Sequence, residues 1–239
     1  MTYKNILVPD WSLPANVGAA VTLRSFGNVA AHVGDDPALV IRRRRQLARQ
    51  LKLPVVPQFL QQQHTNEVSI WPNIQTPSDA IVANSVASCA VLTADCLPVL
   101  ISSHSGDCIA AAHAGWRGLE RGVLSNTISR IPVAANQLTA WIGPAICRRC
   151  FQVGDEVKQA FAKSFPQQTI EAAFSADGDR WLADLPLLAE FQLRELGVSQ
   201  VTQSHLCSYC QPREFFSYRR HQDTGRFASI IWRKNQSNT

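Results

Sequence analysis

The sequence predicts a layered α/β or α+β fold, on three observations. Apolar runs of strand length and helix-start signals recur along the chain, without the strict strand–helix alternation of a Rossmann sheet or a TIM barrel. One apolar pair, 97–102 and 108–112, is joined by a short turn carrying Ser105-Gly106, so at least one hairpin is antiparallel. The 239 residues are 46% hydrophobic and 17% charged, which is material for a large core. No repeat or low-complexity linker divides them, and 1–239 reads as a single domain.

The elements follow in order. Asp35-Asp36-Pro37 is a helix start, a capping carboxylate ahead of proline, and the helix runs to about Leu51, short of Pro54. The apolar region 80–101 is interrupted by Asn84, Asp95 and Pro98, so it reads as a buried strand pair and not as a membrane span. In the hairpin, a turn centred near Ser105-Gly106 makes paired residue numbers sum to about 211. Cys96 then lies at the same end of the ladder as His113 and Gly115. Pro98 cannot donate a ladder hydrogen bond and marks the start or edge of its strand.

Residues 118–130 form one further helix, ended by Pro132, and 138–142 a short buried strand stopped by Gly143-Pro144. Val153-Gly154-Asp155-Glu156 opens a helix through about Ser164, its acids in the first turn where the dipole favours them. Asp184-Leu185-Pro186 opens another, closed by Gly197. Segments 200–205 and 227–232 are the last strands.

Charge and cysteine usage narrow the function classes. The N-terminus lacks the order of a signal peptide, so a soluble, cytoplasmic protein with seven reduced cysteines is expected. The net charge of +5 comes partly from the run Arg42, Arg43, Arg44 and Arg45. That run winds around more than a helical turn, so only one or two of its members can point to a site. Phosphate or nucleotide is admissible as a partner. Nucleic acid is not, because 8% aromatic residues with no interleaved basic face is a poor match to such surfaces.

The chemistry concentrates around the hairpin. Ala94-Asp95-Cys96-Leu97-Pro98 is followed, 17 positions after the cysteine, by His113-Ala114-Gly115-Trp116-Arg117-Gly118. Cys96 and His113 suit a nucleophile–base pair. With His64, from the polar cluster 61–68, they also suit the ligand set of an open zinc site. Separations of 32 and 17 match no local zinc pattern and decide nothing between the two. Asp95 suits a turn cap or a general acid or base. Arg117 is a surface cation or an anion contact at a helix start. Arg219 or Arg220 is a further possible site cation. Cys147-Arg148-Arg149-Cys150 and Cys207-Ser208-Tyr209-Cys210 are separated by 56 residues, against about 15–20 in two-knuckle zinc sites. They are therefore read as two unrelated pairs of reduced thiols, and a thioredoxin-like role lacks its βαβ context.

Together, Thr93-Ala94-Asp95-Cys96-Leu97-Pro98-Val99, His113-Ala114-Gly115-Trp116-Arg117-Gly118, Gly143-Pro144-Ala145-Ile146 and Cys207-Ser208-Tyr209-Cys210 with Phe216-Ser217-Tyr218-Arg219-Arg220 resemble the YfiH family. That family is also known as laccase-domain, polyphenol oxidoreductase or peptidoglycan editing factor proteins. Gly27-Asn28 and His32-Val33-Gly34-Asp35-Asp36-Pro37 fit too, and the resemblance spans nearly the whole chain. It implies a single α/β/β/α-layered domain with mixed sheets and one zinc ion on His64, Cys96 and His113, where copper can substitute in vitro. It implies phosphorolysis of adenosine, inosine, guanosine and methylthioadenosine to free base and ribose 1-phosphate, with adenosine deaminase activity besides. Asn28 and Arg44 match positions near nucleoside and phosphate, and Gln62 opens the Gln62-Gln63-His64-Thr65 stretch where relatives often have Gln-Val-His-Gly. Asn28, Arg44, Gln62 and Arg117 are thus expected to bind substrate, and Asp95 or Glu67 to move a proton. Cys150 stands where relatives vary, in keeping with unpaired thiols.

The oxidase name can be tested on composition. A multicopper oxidase needs about ten histidines in His-x-His pairs, with a Cys-His blue-copper site. This chain has six histidines, no His-x-His, and the initiator as its only methionine. Two further alternatives are a metal-independent cysteine hydrolase or amidase acting on cell-wall peptide material through Cys96 and His113, and a non-catalytic metal- or nucleotide-binding protein.

Overall fold

The computed structural model describes residues 4–235. Its strands are β1 (Ile6–Leu7), β2 (Val17–Thr22), β3 (Gln58–Phe59), β4 (Val68–Ile70), β5 (Ala80–Ala83), β6 (Ala87–Thr93), β7 (Leu97–Ser103), β8 (Ile109–Ala114), β9 (Leu138–Ile142), β10 (Gln152–Val153), β11 (Phe174–Asp177), β12 (Arg180–Ala183), β13 (Gln200–Gln203) and β14 (Phe227–Arg233). Its α-helices are α1 (Pro37–Gln50), α2 (Trp116–Glu120), α3 (Val123–Ser129), α4 (Asp155–Ala162), α5 (Gln167–Ala173) and α6 (Leu185–Glu195). Among the described residues, no helix is long and apolar enough to cross a membrane.

Strand periodicity explains the layering. Successive side chains alternate between faces, and every residue from Leu97 to Ser103 and from Ile109 to Ala114 is buried, so both faces must be covered. Leu97, Val99 and Ile101 of β7 and Ala110, Ala112 and Ala114 of β8 pack with Leu119, Leu124, Phe161 and Leu188 of the helices. The alternate residues Leu100, Ile109 and Ala111 meet Val21, Val91, Phe227 and Ile231 of a second sheet. That sheet's outer face, including Ala20, Ala90 and Ile230, is covered by Leu47 of α1. The result is α/β/β/α. The sheet orders are β1-β2-β14-β6-β3 and β13-β9-β7-β8-β5-β4, with a small third sheet, β10-β12-β11.

The hairpin takes the expected register: Leu97 pairs with Ala114 and Pro98 with His113, each pair summing to 211. Pro98 starts its strand but does not lie on an edge, because β7 runs between β8 and β9. It is accommodated because the ladder with β9 begins one residue later, at Val99, while the Pro98 carbonyl accepts from Gly143 N. Asp36 caps α1 by accepting from Ala38 N, and Asp184 caps α6 by accepting from Leu187 N. Gly197 follows α6 at φ +88°.

Three expectations need correction. The single helix over 118–130 is two, because Gly122 at φ +85° ends α2 and starts α3. The strand pair in 80–101 is three strands, β5, β6 and the start of β7. The two CxxC pairs are not unrelated. Strand β13 lies parallel to β9, Gln203 opposite Ile142, and each strand is followed within a few residues by its CxxC. The 56 intervening residues are the crossover that parallel neighbours require, and the four sulfurs converge within 4.8 Å of one another.

Candidate metal and catalytic centre

Cys96 stands in the two-strand turn between β6 and β7, where the chain reverses over Ala94-Asp95-Cys96. The turn holds Asp95 at φ +90°, a strained region for a residue with a side chain. Its stabilisation comes from across the molecule. The Asp95 carboxylate accepts from Ser208 Oγ at 2.6 Å, Ser217 Oγ at 3.0 Å and Arg219 N at 2.6 Å. Its carbonyl accepts from Ile146 N at 2.9 Å.

His113 shares a face of β8 with Ile109 and Ala111, and it is the last residue of that face before the strand ends. Opposite it, the loop after β3 brings His64, with its backbone at φ +58°. A carboxylate that sequence reasoning missed binds the two together. Asp79, fully buried, accepts from the backbone N–H groups of Gln63 (3.1 Å), His64 (3.0 Å) and Thr65 (2.7 Å), and from Thr65 Oγ1 (2.7 Å). It also lies 2.7 Å from His113 Nδ1. With Nδ1–H donated to Asp79, His113 presents Nε2 as its free ligand atom, the orientation found where a carboxylate positions a metal-binding histidine.

His64 Nε2 lies 3.6 Å from Cys96 Sγ, the two imidazole rings meet edge-on at 4.8 Å, and the three potential ligand atoms lie within 4.8 Å of one another. Burial works to raise the Cys96 thiol, but the His113 charge and hydrogen bonds from both histidines outweigh it and hold the thiol low. Burial likewise works to lower His113, and the Cys96 charge with the Asp79 bond raises it instead. Gly115 lets α2 approach: a Cβ there would sit 2.5 Å from His64 Cδ2 and 3.1 Å from Cys96 Sγ.

A cavity of about 170 Å³ is lined by the three cluster residues together with His32, Tyr218 and Arg226. Burial, then the charges of Arg226 and Arg44, lower the pKa of His32; of the two arginines, Arg226 lines the cavity and Arg44 does not. Arg44 donates to Val29 O and stacks on Phe59, while Arg42 and Arg45 face solvent, so the arginine run contributes inward as its helical pitch requires. The Asn28 amide is engaged with Ala30, Asp35 and Arg226 N, and the Gln62 amide with both backbone groups of Leu92.

Other nominated groups lie apart. Arg117 is exposed and stacks on Trp116, and Glu67 is exposed and outside the cavity lining. Arg219 and Arg220 are not the site cations. Arg219 reaches Cys150 O and Gln152 O, and Arg220 the carbonyls of Ser208, Tyr209 and Phe215. Arg226 is the cation on the cavity wall, and only its place beyond Gly225 distinguishes it in the sequence.

Residues 17–234 match a family described as multi-copper polyphenol oxidoreductase laccase. The purine nucleoside phosphorylase YfiH of Escherichia coli is 41% identical over 240 residues, covering 95% of this chain and 98% of that protein. A purine nucleoside phosphorylase of Haemophilus influenzae is 37% identical over 241 residues, covering 94% and 97%. Among solved structures, a Neisseria meningitidis protein superposes with a TM-score of 0.91 at 40% identity, over 97% of this chain and 100% of its own. YlmD from Geobacillus stearothermophilus gives 0.89 at 25% identity, over 98% of each chain. Fold, motifs and near-complete coverage agree, and the chain belongs to the YfiH (laccase-domain) family.

Proposed function

We propose that this chain, acting as one domain over 1–239, is a purine nucleoside phosphorylase whose centre is a zinc ion held by His64, Cys96 and His113. The observation that carries the reading is the convergence of two imidazoles and one thiol in the lining of a cavity that Arg226 lines as well. The residues fit the ion: a low-lying thiol and a carboxylate-oriented imidazole are borderline-soft ligands in an open, three-donor set. Zinc bound there supplies Lewis-acid polarisation of an oxygen at the reacting centre. The activity for which the relatives are named supports phosphorolysis over other zinc chemistry.

The chain's own groups divide the remaining work. Arg226, oriented by the Thr224 and Gly225 carbonyls that its Nη1 donates to, holds the phosphate anion against the anomeric carbon while the purine departs through an oxocarbenium-like state, and the Arg44 charge felt at His32 adds to the field. The 170 Å³ cavity is smaller than a whole drug-sized ligand needs, so it takes part of the substrate, with Tyr218 in its lining. Asn28 and Gln62 act by holding the wall, through Arg226 N and Leu92, since their amides are already engaged. Asp95 is a positioning residue for Cys96, because its carboxylate is occupied by three donors and turned to the C-terminal segment.

Chromatography of adenosine, inosine, guanosine and methylthioadenosine reactions, with and without phosphate, tests the reading. Phosphate-dependent free base is the expected product, and its absence at micromolar enzyme would overturn the proposal. Inosine from adenosine without phosphate tests the deaminase activity that the resemblance implies. A multicopper oxidase does not suit the centre, since the cluster offers two of the six histidines.

A further inference from the structure

We propose that Cys147, Cys150, Cys207 and Cys210 bind a second, structural zinc ion as a tetrathiolate, which clamps the C-terminal segment 206–220 against the Cys96 turn. The sulfur geometry carries this. A tetrahedral zinc site with Zn–S near 2.3 Å has sulfur–sulfur edges of about 3.8 Å. Here Cys147 Sγ lies 3.7 Å from Cys150 Sγ and 4.0 Å from Cys210 Sγ, and Cys150 Sγ lies 3.3 Å from Cys210 Sγ. Cys207 Sγ completes a set whose members are all within 4.8 Å of one another.

The surroundings suit thiolates. Cys207 Sγ accepts from the backbone N–H of Cys147 at 3.3 Å and from that of Cys210 at 3.4 Å. Such N–H donors stabilise sulfur carrying negative charge, the role outer groups play around metal ligands. Four thiolates on one divalent ion leave a net charge of about −2. Arg148 and Arg149 line the same cavity as Cys147, Cys207 and Cys210, and the Arg219 guanidinium lies 3.4 Å from Cys150 O. An all-sulfur tetrahedral set selects zinc, or iron as the competitor. All four positions are filled by protein, so the site is closed and structural.

The location gives the ion its purpose. One CxxC follows β9 and the other follows β13, joined by the Ala145–Cys207 bridge and by Ser208 N donating to Ala145 O. Immediately beyond Cys207 come Ser208, Ser217 and Arg219, the three donors to Asp95, and Tyr218, on the cavity wall. Among the described residues 206–226 holds no helix or strand of its own, so its shape depends on such cross-links. Binding would displace the thiol protons to solvent and fix both knuckles.

The test uses full-length Cys96→Ala protein, purified under reducing conditions, so that the first centre does not contribute a thiolate. Elemental analysis should find about one zinc per folded chain, falling below about a tenth when Cys150→Ser and Cys210→Ser are added. Titrating the metal-free Cys96→Ala protein with cobalt should bring up the intense visible and near-ultraviolet bands of a tetrahedral thiolate site. Should the triple variant fail to fold, protection of the four cysteines from iodoacetamide by zinc, and its loss on chelation, replaces it. A folded Cys96→Ala protein without zinc and without cobalt–thiolate bands would overturn the proposal, as would iron in the site or disulfides among the four under reducing conditions. None of these readouts is catalytic, so they stand or fall apart from the phosphorylase reading.

Discussion

Replacing Asp79 by Asn keeps the shape of the buried side chain and removes the charge on which the His64 loop and the His113 ring converge. Wild-type Asp79 accepts from Gln63 N, Thr65 N and Thr65 Oγ1 on one oxygen, and from His64 N and His113 Nδ1 on the other. An amide has one acceptor oxygen, so with His113 kept as the Nδ1–H tautomer that leaves Nε2 free as a ligand, the NH₂ must face two N–H donors whichever way it is turned. Two hydrogen bonds to a charged acceptor are lost, at about 1.5–3 kcal/mol each, giving a destabilisation of about 3–6 kcal/mol. In a chain of this size that corresponds to a Tm lower by roughly 6–24 °C.

Metal affinity should fall about 10- to 100-fold, since His113 loses the partner that sets its tautomer. Acid dependence gives an internal check. Burial works to raise the Asp79 pKa, but His113 and Thr65 hold it at about 2, below its ordinary value of 3.8. A depressed carboxylate contributes stability above its unfolded pKa and loses it as pH falls toward the folded value. The gap between wild type and Asp79→Asn should therefore be full at neutral pH and narrow from about pH 4 downward. Denaturant unfolding followed by tryptophan fluorescence, with competition titration of the metal, measures both effects. Stability within about 1 kcal/mol of wild type, together with unchanged metal affinity, would refute the role given to Asp79.

The remaining expectations concern the cluster and its wall. Gly115→Ala places a Cβ 2.5 Å from His64 Cδ2, so the imidazole must retreat by about 1 Å, enough for about a hundredfold loss of kcat with the fold retained by circular dichroism. Arg226→Gln should raise the KM for phosphate by about 10- to 100-fold, the cost of a lost charged hydrogen bond, and leave the nucleoside KM within about threefold; equal shifts in both would move the phosphate elsewhere. Removal of metal by a chelator should abolish turnover, and zinc should restore it. Activity that survives with no bound metal would point instead to Cys96 acting as a nucleophile with His113 as its base.

Local chemistry made much of this fold legible. The Ser105-Gly106 turn and period-two parity were enough to put Cys96 beside His113, because a hairpin's register follows from its turn. Asp36 and Asp184 announced their helices because each is followed closely by proline. Asp79 was invisible for the opposite reason: its five donors come from two segments far from it in sequence, and nothing around Ser78-Asp79 marks that convergence. Arg226 was hidden beside Arg219 and Arg220, because all three bond backbone carbonyls and only folding shows which one reaches the cavity. The CxxC pairs were misjudged by spacing, since parallel pairing of β9 with β13 cancels a separation of 56 residues. Gly122 resembled a tolerated helix glycine, and only its left-handed backbone shows that it ends one helix and begins the next.

The central claim is that His64, Cys96 and His113 form the centre for phosphorolysis. Its most direct test is the formation of hypoxanthine and ribose 1-phosphate from inosine and phosphate, measured for zinc-loaded wild type and for Cys96→Ala. Phosphate-dependent product from the wild type, reduced by at least about 10³-fold in a Cys96→Ala protein that stays folded, is the expected result. Equal phosphorolysis by both proteins would contradict it.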